Sequence, residues 1–282
     1  MDPKNLESYT TPEDTLRDYA GEDRIVSSHE LAERLGDTPS VTVPTGIELL
    51  DNIMGGAEEG ELIVVTGPSG EGKTTLLMSI TQNISVPSAW FTLEVTPRQF
   101  IRKMKAQGEL PLFYLPNENT KSSIEWVEQR VIESVLKYNT KVIFIDHVHS
   151  ILSSARYSNN VSLEIGEMVQ RVKDMAIKYN LIIYLIAHCR DNNVNPNAEI
   201  RKEDIRDSGM IVRIADTVLG VWRVNNDSTL DQKTRPRELN PGDCKAKVRV
   251  LKNRRTGDLG TTFLYHKDHY LSDTDPVYPY AA

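Results

Sequence analysis

Between an apolar run, Glu61-Leu-Ile-Val-Val-Thr66, and a helix-prone run, Thr75-Leu-Leu-Met-Ser-Ile80, lies Gly67-Pro-Ser-Gly-Glu-Gly-Lys-Thr74. The order reads strand, glycine loop, helix. Glycines let consecutive backbone N–H groups converge on one point at a helix N-terminus, where the partial positive charge attracts an anion. The spacing G-x-x-x-x-G-K-[ST] therefore specifies a loop that cradles a polyphosphate. Gly67, Ser69, Gly70 and Gly72 form the cradle, Lys73 reaches the β- and γ-phosphates, Thr74 holds Mg²⁺, and Thr75 continues the binding turn. A chain organised around this loop binds a nucleoside triphosphate.

From Val41 onward apolar β-type runs alternate with helical patterns, the signature of a parallel sheet wrapped by helices. Strands are expected at residues 62–65, 89–93, 112–115, 142–145, 181–187 and 217–221. Between the third and fourth, Ile124, Val127, Val131 and Val135 fall on one helical face and form core. After Lys245 adjacent strands follow at 247–251, 261–265 and 270–271, which predicts an antiparallel extension on the sheet's edge. Before the core, Ser27-Ser-His-Glu30 matches a capping box, with Val26 and Leu31 as a hydrophobic staple, opening a short helix through Leu35 that Gly36 and Pro39 end. Two long polar segments, 153–162 and 190–203, interrupt the core, and loops of that length are usually functional or disordered. The expected organisation is an acidic arm with a short linker helix at 1–40, a motor domain at 41–271, and an acidic, aromatic tail at 272–282.

Charge and cysteine usage narrow the class further. The formal charge is −7, yet residues 1–37 hold ten acids and four bases, net −6, which leaves the remaining chain at −1. Within that remainder the segment Lys245-Ala-Lys-Val-Arg-Val-Leu-Lys-Asn-Arg-Arg255 has six bases and no acid, a feature suited either to phosphates or to guarding a strand edge. Cys189 and Cys244 give neither a disulfide framework nor a metal spacing, so a reducing cytoplasm is expected. No apolar run reaches the roughly 18 residues of a membrane span, and the N-terminus lacks a signal peptide's apolar region, so no membrane partner is expected.

Hydrolysis needs more than a phosphate loop. Lys141-Val-Ile-Phe-Ile-Asp146 supplies a buried strand ending in a carboxylate, a second magnesium contact beside Thr74. Trp90-Phe-Thr-Leu-Glu94 puts another carboxylate beyond a strand's C-terminal end, where open α/β sheets bind ligands, and Glu94 is the candidate general base. His188 follows the strand at 181–187 and is placed to hydrogen-bond the γ-phosphate.

Together these segments resemble one family. Val43-Pro-Thr-Gly-Ile-Glu-Leu-Leu-Asp-Asn-Ile-Met-Gly-Gly56 looks like the entry to the RecA-like domain of DnaB-type replicative helicases. Ile205-Arg-Asp-Ser-Gly-Met-Ile211 with Ala215-Asp-Thr-Val218 resembles their fourth motif, and Val248-Arg-Val-Leu-Lys-Asn-Arg-Arg-Thr-Gly257 their K-x-R finger segment. Phe144-Ile-Asp-His147 and Ile186-Ala-His188 are most similar to the helicase half of short-tailed-phage primase-helicases and to mitochondrial Twinkle, where a histidine holds the sensor position. The resemblance runs from about Val41 to Leu271.

It implies a RecA-like P-loop NTPase core and a phage-type replicative helicase that hydrolyses ATP or dTTP with Mg²⁺. Such a helicase moves 5′ to 3′ on single-stranded DNA and unwinds duplex as a homohexameric ring. Lys73, Thr74, Glu94, Asp146 and His188 are then expected to act in cis, and Lys252 and Arg254 to reach a neighbour's site, with Arg255 a second candidate for the finger. Arg206 and the backbone of Asp207, Ser208 and Gly209 match the DNA-contacting loop, and Arg223 is a candidate for the nucleotide base. Expected partners are single-stranded DNA, further copies of the chain, and a replisome's primase and DNA polymerase, in the host cytoplasm if the chain is phage-encoded. No counterpart of the family's N-terminal primase domain is read, so coupling to priming is expected through a separate protein or the arm. A RecA- or RadA-like recombination ATPase, and a nucleotide-dependent helicase regulator or loader without unwinding activity, are the alternatives.

Overall fold

The computed structural model describes residues 16–17, 19–21, 23–36, 40–118, 123–152, 161–189, 201–205, 208–223, 244–267 and 270–273. Arg206, Asp207, both long polar segments for the most part, and the tail beyond 273 lie outside them. The chain divides into two units, Met1–Ser40 and Val41–Ala282.

In the first unit α1 (Ser28–Leu35) begins where Ser27 Oγ accepts the Glu30 N–H at 3.1 Å and ends at Gly36, whose N–H returns to Ala32 O. The expected capping box is only half made. Glu30 turns its carboxylate to Arg24 Nη2, 2.6 Å away, because a full charge on a partner attracts it more than a neutral N–H does.

The second unit is an eight-stranded sheet in the order β10-β9-β8-β7-β3-β6-β5-β4. Its parallel half comprises β4 (Ser88–Thr92), β5 (Val142–Asp146), β6 (Ile182–His188), β3 (Leu62–Gly67) and β7 (Thr217–Arg223). The antiparallel extension adds β8 (Cys244–Asn253), β9 (Gly260–Lys267) and β10 (Tyr270–Ser272). A small ribbon of β1 (Thr42–Val43) and β2 (Ala57–Glu58) precedes β3. Both faces of the parallel half are covered, so its strands are continuously apolar and successive side chains enter different cores. Leu62, Val64, Ile143, Ile145, Ile183 and Leu185 pack with one, which contains Val127 and Val131 of α5 (Ile124–Tyr138), Val148 and Ile151 of α6 (Val148–Leu152), and Val169 and Val172 of α7 (Val161–Lys178). Ile63, Val65, Phe144, Tyr184 and Ile186 pack with the other, beneath α2 (Glu48–Met54), α3 (Lys73–Asn83) and α4 (Pro97–Lys105).

Aromatic residues mark the second face. Trp90, Phe144 and Tyr184 are cross-strand partners on β4, β5 and β6 and stack at 4.7 and 5.2 Å, with Phe100 of α4 against Trp90 at 4.6 Å. The indole N–H donates to Thr81 Oγ1 on α3 at 3.0 Å, so the ladder also fixes the helix that follows the glycine loop.

The strand expected at 112–115 does not form. Only Tyr114 bridges to Ala89, through Trp90 N–H to Tyr114 O and Tyr114 N–H to Ser88 O, while Leu112 is exposed. Pro111 and Pro116 bracket the segment, and residues that lack an N–H cannot extend a ladder in either direction.

The extension is tied to the helix of the glycine loop. Leu271 N–H donates to Ser79 Oγ at 2.8 Å and Tyr270 hydroxyl to Asn83 Oδ1 at 2.5 Å, both on α3. Asp273, expected to belong to the tail, accepts the Leu49 N–H of α2 at 3.0 Å.

Candidate active site

Register assembles the site. In the parallel half Gly67 lies opposite His188 and Thr92 opposite Asp146, so β3, β4, β5 and β6 end side by side at their carboxyl ends. Glu94 follows β4 by two residues and reaches the same place.

The glycine loop has the expected strand-loop-helix form. Gly67 is required by close approach, since a Cβ there would lie 2.1 Å from the Val221 carbonyl oxygen on neighbouring β7. Gly72 adopts φ 102° as the N-cap of α3, a conformation that side chains disfavour. Ser69 and Gly70 form the exposed tip, and Thr75 lies in the first turn of α3. Lys73 is buried, and its ammonium donates to the carbonyls of Gly67 and Pro68 at 2.8 and 2.7 Å. Burial pushes its pKa down, against the pull of nearby acids including Asp146 and Glu94. Glu71 accepts the Arg223 N–H, clamping the loop to the end of β7, where the Arg223 side chain is exposed.

Thr74 Oγ1 donates to Asp146 Oδ2 at 2.7 Å. A hydroxyl and a buried carboxylate at this spacing are the hard oxygen donors that suit Mg²⁺, and Thr74 and Asp146 would be the residues to hold it. Burial raises the Asp146 pKa to about 6, with the Thr74 hydrogen bond acting the other way.

Glu94 is exposed and turns its carboxylate toward two imidazoles. His147 Nδ1 lies 3.2 Å from Glu94 Oε1 and His188 Nε2 lies 3.9 Å from it, and the two rings meet edge-on at 4.2 Å between centroids. His147 was not among the expected residues. The signal was its position one residue beyond the strand-ending Asp146, at the same sheet end.

The finger segment is held within its own chain. Lys252 Nζ donates to the carbonyls of Val212, Arg213 and Ala215 at the C-terminal end of α8 (Ser208–Ile214), at 2.8, 3.3 and 2.5 Å. Burial, with Arg254 beside it, lowers its pKa to about 8. Arg254 pairs with Asp216 at 3.0 Å and donates to Arg213 O, yet its side chain is 53% exposed. Arg255 is engaged differently. Its Nη2 donates to the carbonyls of Met54, Gly55 and Gly56 at the end of α2, and its Nε faces Glu61. Asp216, also outside the expected set, is buried and joins Arg254, Lys173 of α7 and the Leu62 N–H of β3. Of the expected DNA-contacting loop, Ser208 and Gly209 begin α8, and Arg206 and Asp207 fall outside the described residues.

A glycine loop, a threonine–aspartate pair and a carboxylate at the carboxyl ends of a mostly parallel sheet are the parts of a RecA-like P-loop fold. The model of the DnaB-like helicase C-terminal domain matches residues 42–122 and 109–273, and the chain belongs to that family. A probable replicative DNA helicase of Trieres chinensis is 24% identical over 273 residues, covering 83% of this chain and 57% of that protein. Replicative DNA helicase DnaC of Bacillus subtilis is also 24% identical, covering 86% and 58%. The chain thus spans a little over half the length of these curated relatives. Among solved structures, a DnaB-like replicative helicase described with its interactions with primase superposes with a TM-score of 0.66 at 16% identity, over 90% of this chain and 69% of that one. A KaiC-like protein from Pyrococcus horikoshii gives a TM-score of 0.60 at 18% identity, over 83% and 99%. Both establish the shared fold.

Two outcomes follow from the electrostatics and packing. The folded chain holds the Asp146 proton up to about pH 6, against an ordinary value of 3.8, so stability falls as pH rises through that window. Asp146→Asn is expected to raise the Tm of the nucleotide-free chain at neutral pH, by a margin that shrinks as pH falls through the window, while Mg²⁺-dependent nucleotide binding is lost. Thermal unfolding of both chains across pH checks it. Arg255→Ala strips the α2 carbonyls of their donor and is expected to cost about 1–3 kcal/mol in urea unfolding.

Proposed function

We propose that this chain is the motor of a phage-type replicative DNA helicase, coupling nucleoside triphosphate hydrolysis to 5′ to 3′ movement on single-stranded DNA. The observation that carries this reading is the Thr74–Asp146 contact with Glu94 and His188 beside it, in a chain of the DnaB-like family. Magnesium bound between Thr74 and Asp146 would neutralise charge developing on the phosphates of ATP or dTTP. Lys73 exchanges its two loop carbonyls for phosphate oxygens, which relieves a buried ammonium of a poorly matched environment. Glu94 accepts the proton of the attacking water, and His188, beside the glycine loop by strand register, senses the γ-phosphate. The histidines at 147 and 188 favour the phage-type branch.

Assembly completes the site. In a homohexameric ring Arg254 leaves Asp216 and stabilises phosphoryl charge in the neighbouring subunit, where a guanidinium acts only when the interface exists. Its exposure, and the engagement of Arg255 by α2, favour Arg254 as the finger. Lys252 serves by holding the end of α8, the helix that follows the DNA loop containing Arg206 and Asp207. Arg223 contacts the base. Primase and DNA polymerase of a replisome are the proposed partners, in the cytoplasm of the cell that houses it.

Unwinding of a forked DNA with Mg²⁺ and nucleotide, beside ring counting by native mass spectrometry, tests the reading. Rings that hydrolyse nucleotide on DNA without separating strands would overturn it. Glu94→Gln is expected to keep nucleotide and DNA binding and to lose turnover by about 100- to 10,000-fold. Arg254→Ala rings should assemble and hydrolyse slowly, and mixing with Lys73→Ala subunits should restore activity, since some interfaces then join an intact site to an intact finger. Absence of recovery in verified mixed rings contradicts the trans geometry. Arg206→Ala should weaken single-stranded DNA binding across all sequences and flatten its salt dependence by about one phosphate contact per engaged subunit, as read from affinities at several salt concentrations.

A further inference from the structure

We propose that Glu94, His147 and His188 form a binding site for a transition-metal dication of the Zn²⁺ or Co²⁺ type, separate from the oxygen pair of Thr74 and Asp146. One ligand atom from each of the three lies within 4.8 Å of the other two. Two imidazoles and one carboxylate are a donor set that zinc, cobalt and nickel accept readily, whereas magnesium demands oxygen ligands and keeps its waters. Metal–ligand bonds of about 2.0–2.1 Å in a tetrahedral arrangement separate the donor atoms by about 3.3 Å. Glu94 Oε1 and His147 Nδ1 are already 3.2 Å apart, His188 Nε2 lies 3.9 Å from the same oxygen, and all three ligand atoms lie within 4.8 Å of one another, so side-chain adjustment is needed chiefly at His188.

The fold explains why these three meet. Each stands at the carboxyl end of one of three adjacent parallel strands, Glu94 beyond β4, His147 after β5 and His188 at the end of β6. The two rings are held by strand ends, and the carboxylate sits on an exposed turn that can adjust. His147 is buried, and Ser150 Oγ lies 3.5 Å from the same Nδ1 and gives way when the nitrogen ligates. Three protein ligands leave at least one position open, whereas structural zinc sites close all four with protein ligands.

The functional consequence rests on the reading of Glu94 and His188 given above. A dication held here occupies the carboxylate that would accept the water's proton and the nitrogen that would sense the γ-phosphate. Zinc in low concentration therefore inhibits magnesium-dependent hydrolysis, and a chelator reverses the inhibition.

The test uses the full chain stripped of metal, with Mg²⁺ in large excess to fill the oxygen site. Titration with Co²⁺ is expected to give a visible absorption band of four- or five-coordinate cobalt saturating at one equivalent per chain, which Zn²⁺ abolishes. His147→Gln, His188→Ala and Glu94→Gln should each weaken Co²⁺ affinity by about ten-fold or more, and Thr74→Ala should keep the band. X-ray absorption of the zinc-loaded native chain, which needs no variant to fold, should show two imidazoles on the metal. A weak six-coordinate cobalt spectrum, an affinity indifferent to His147→Gln, or fewer than two imidazoles on zinc overturns the site. A chain that hydrolyses nucleotide with Mg²⁺ yet gives no band sinks the metal site alone. A chain that gives the band but hydrolyses nothing supports the site and sinks the motor reading.

Discussion

Everything functional in this chain depends on β3 being paired in parallel on both sides. With β6 on one flank and β7 on the other, its register is set by ladders of backbone hydrogen bonds that no single side chain can shift. A slip of one residue would exchange the two cores, since Leu62 and Val64 serve one and Ile63 and Val65 the other. The same register carries Gly67 against Val221, where only hydrogen fits, and aligns the loop with His188. Packing and chemistry are therefore specified together, and the loop's geometry inherits the rigidity of a doubly covered sheet.

A second layer of organisation joins the site to the segments expected to meet a neighbour and DNA. Asp216 is buried, and its carboxylate is shared among the Leu62 N–H, Lys173 and Arg254. An acid in that position is stabilised only while its cationic partners stay, because an unpaired buried charge is costly. Were Arg254 to leave, Lys173 and the Leu62 amide would still compensate the charge. Lys252 meanwhile satisfies carbonyls that the end of α8 would leave bare, which ties the end of β8 to that helix.

Much of this was legible in the sequence, and the reasons differ by element. The continuously apolar runs at β3, β5 and β6 have few foldings open to them, and the glycine loop declares its own turn. Asp146 and Glu94 were readable because a carboxylate at a strand's carboxyl end has a limited set of uses. The segment at 112–115 misled because apolar content was weighed above the flanking prolines. Asp216 was missed because its partners Leu62, Lys173 and Arg254 lie far off in the chain and pairing of that kind leaves no local pattern, whereas His147 was passed over although its place beside Asp146 was in view. Arg254 and Arg255, adjacent and chemically identical, could be told apart only by what surrounds each guanidinium.

The bond between the last described strand and the helix of the glycine loop has a further consequence. Leu271 and Ser79 are 192 residues apart, and Tyr270 and Asn83 repeat the link one turn away. During synthesis α3 emerges early but lacks its cover until the ribosome has released the distal strand. These two links are thus late ones, made 187 and 192 residues after the helix side chains that they join, so the helix behind the phosphate loop is completed long after the loop itself appears.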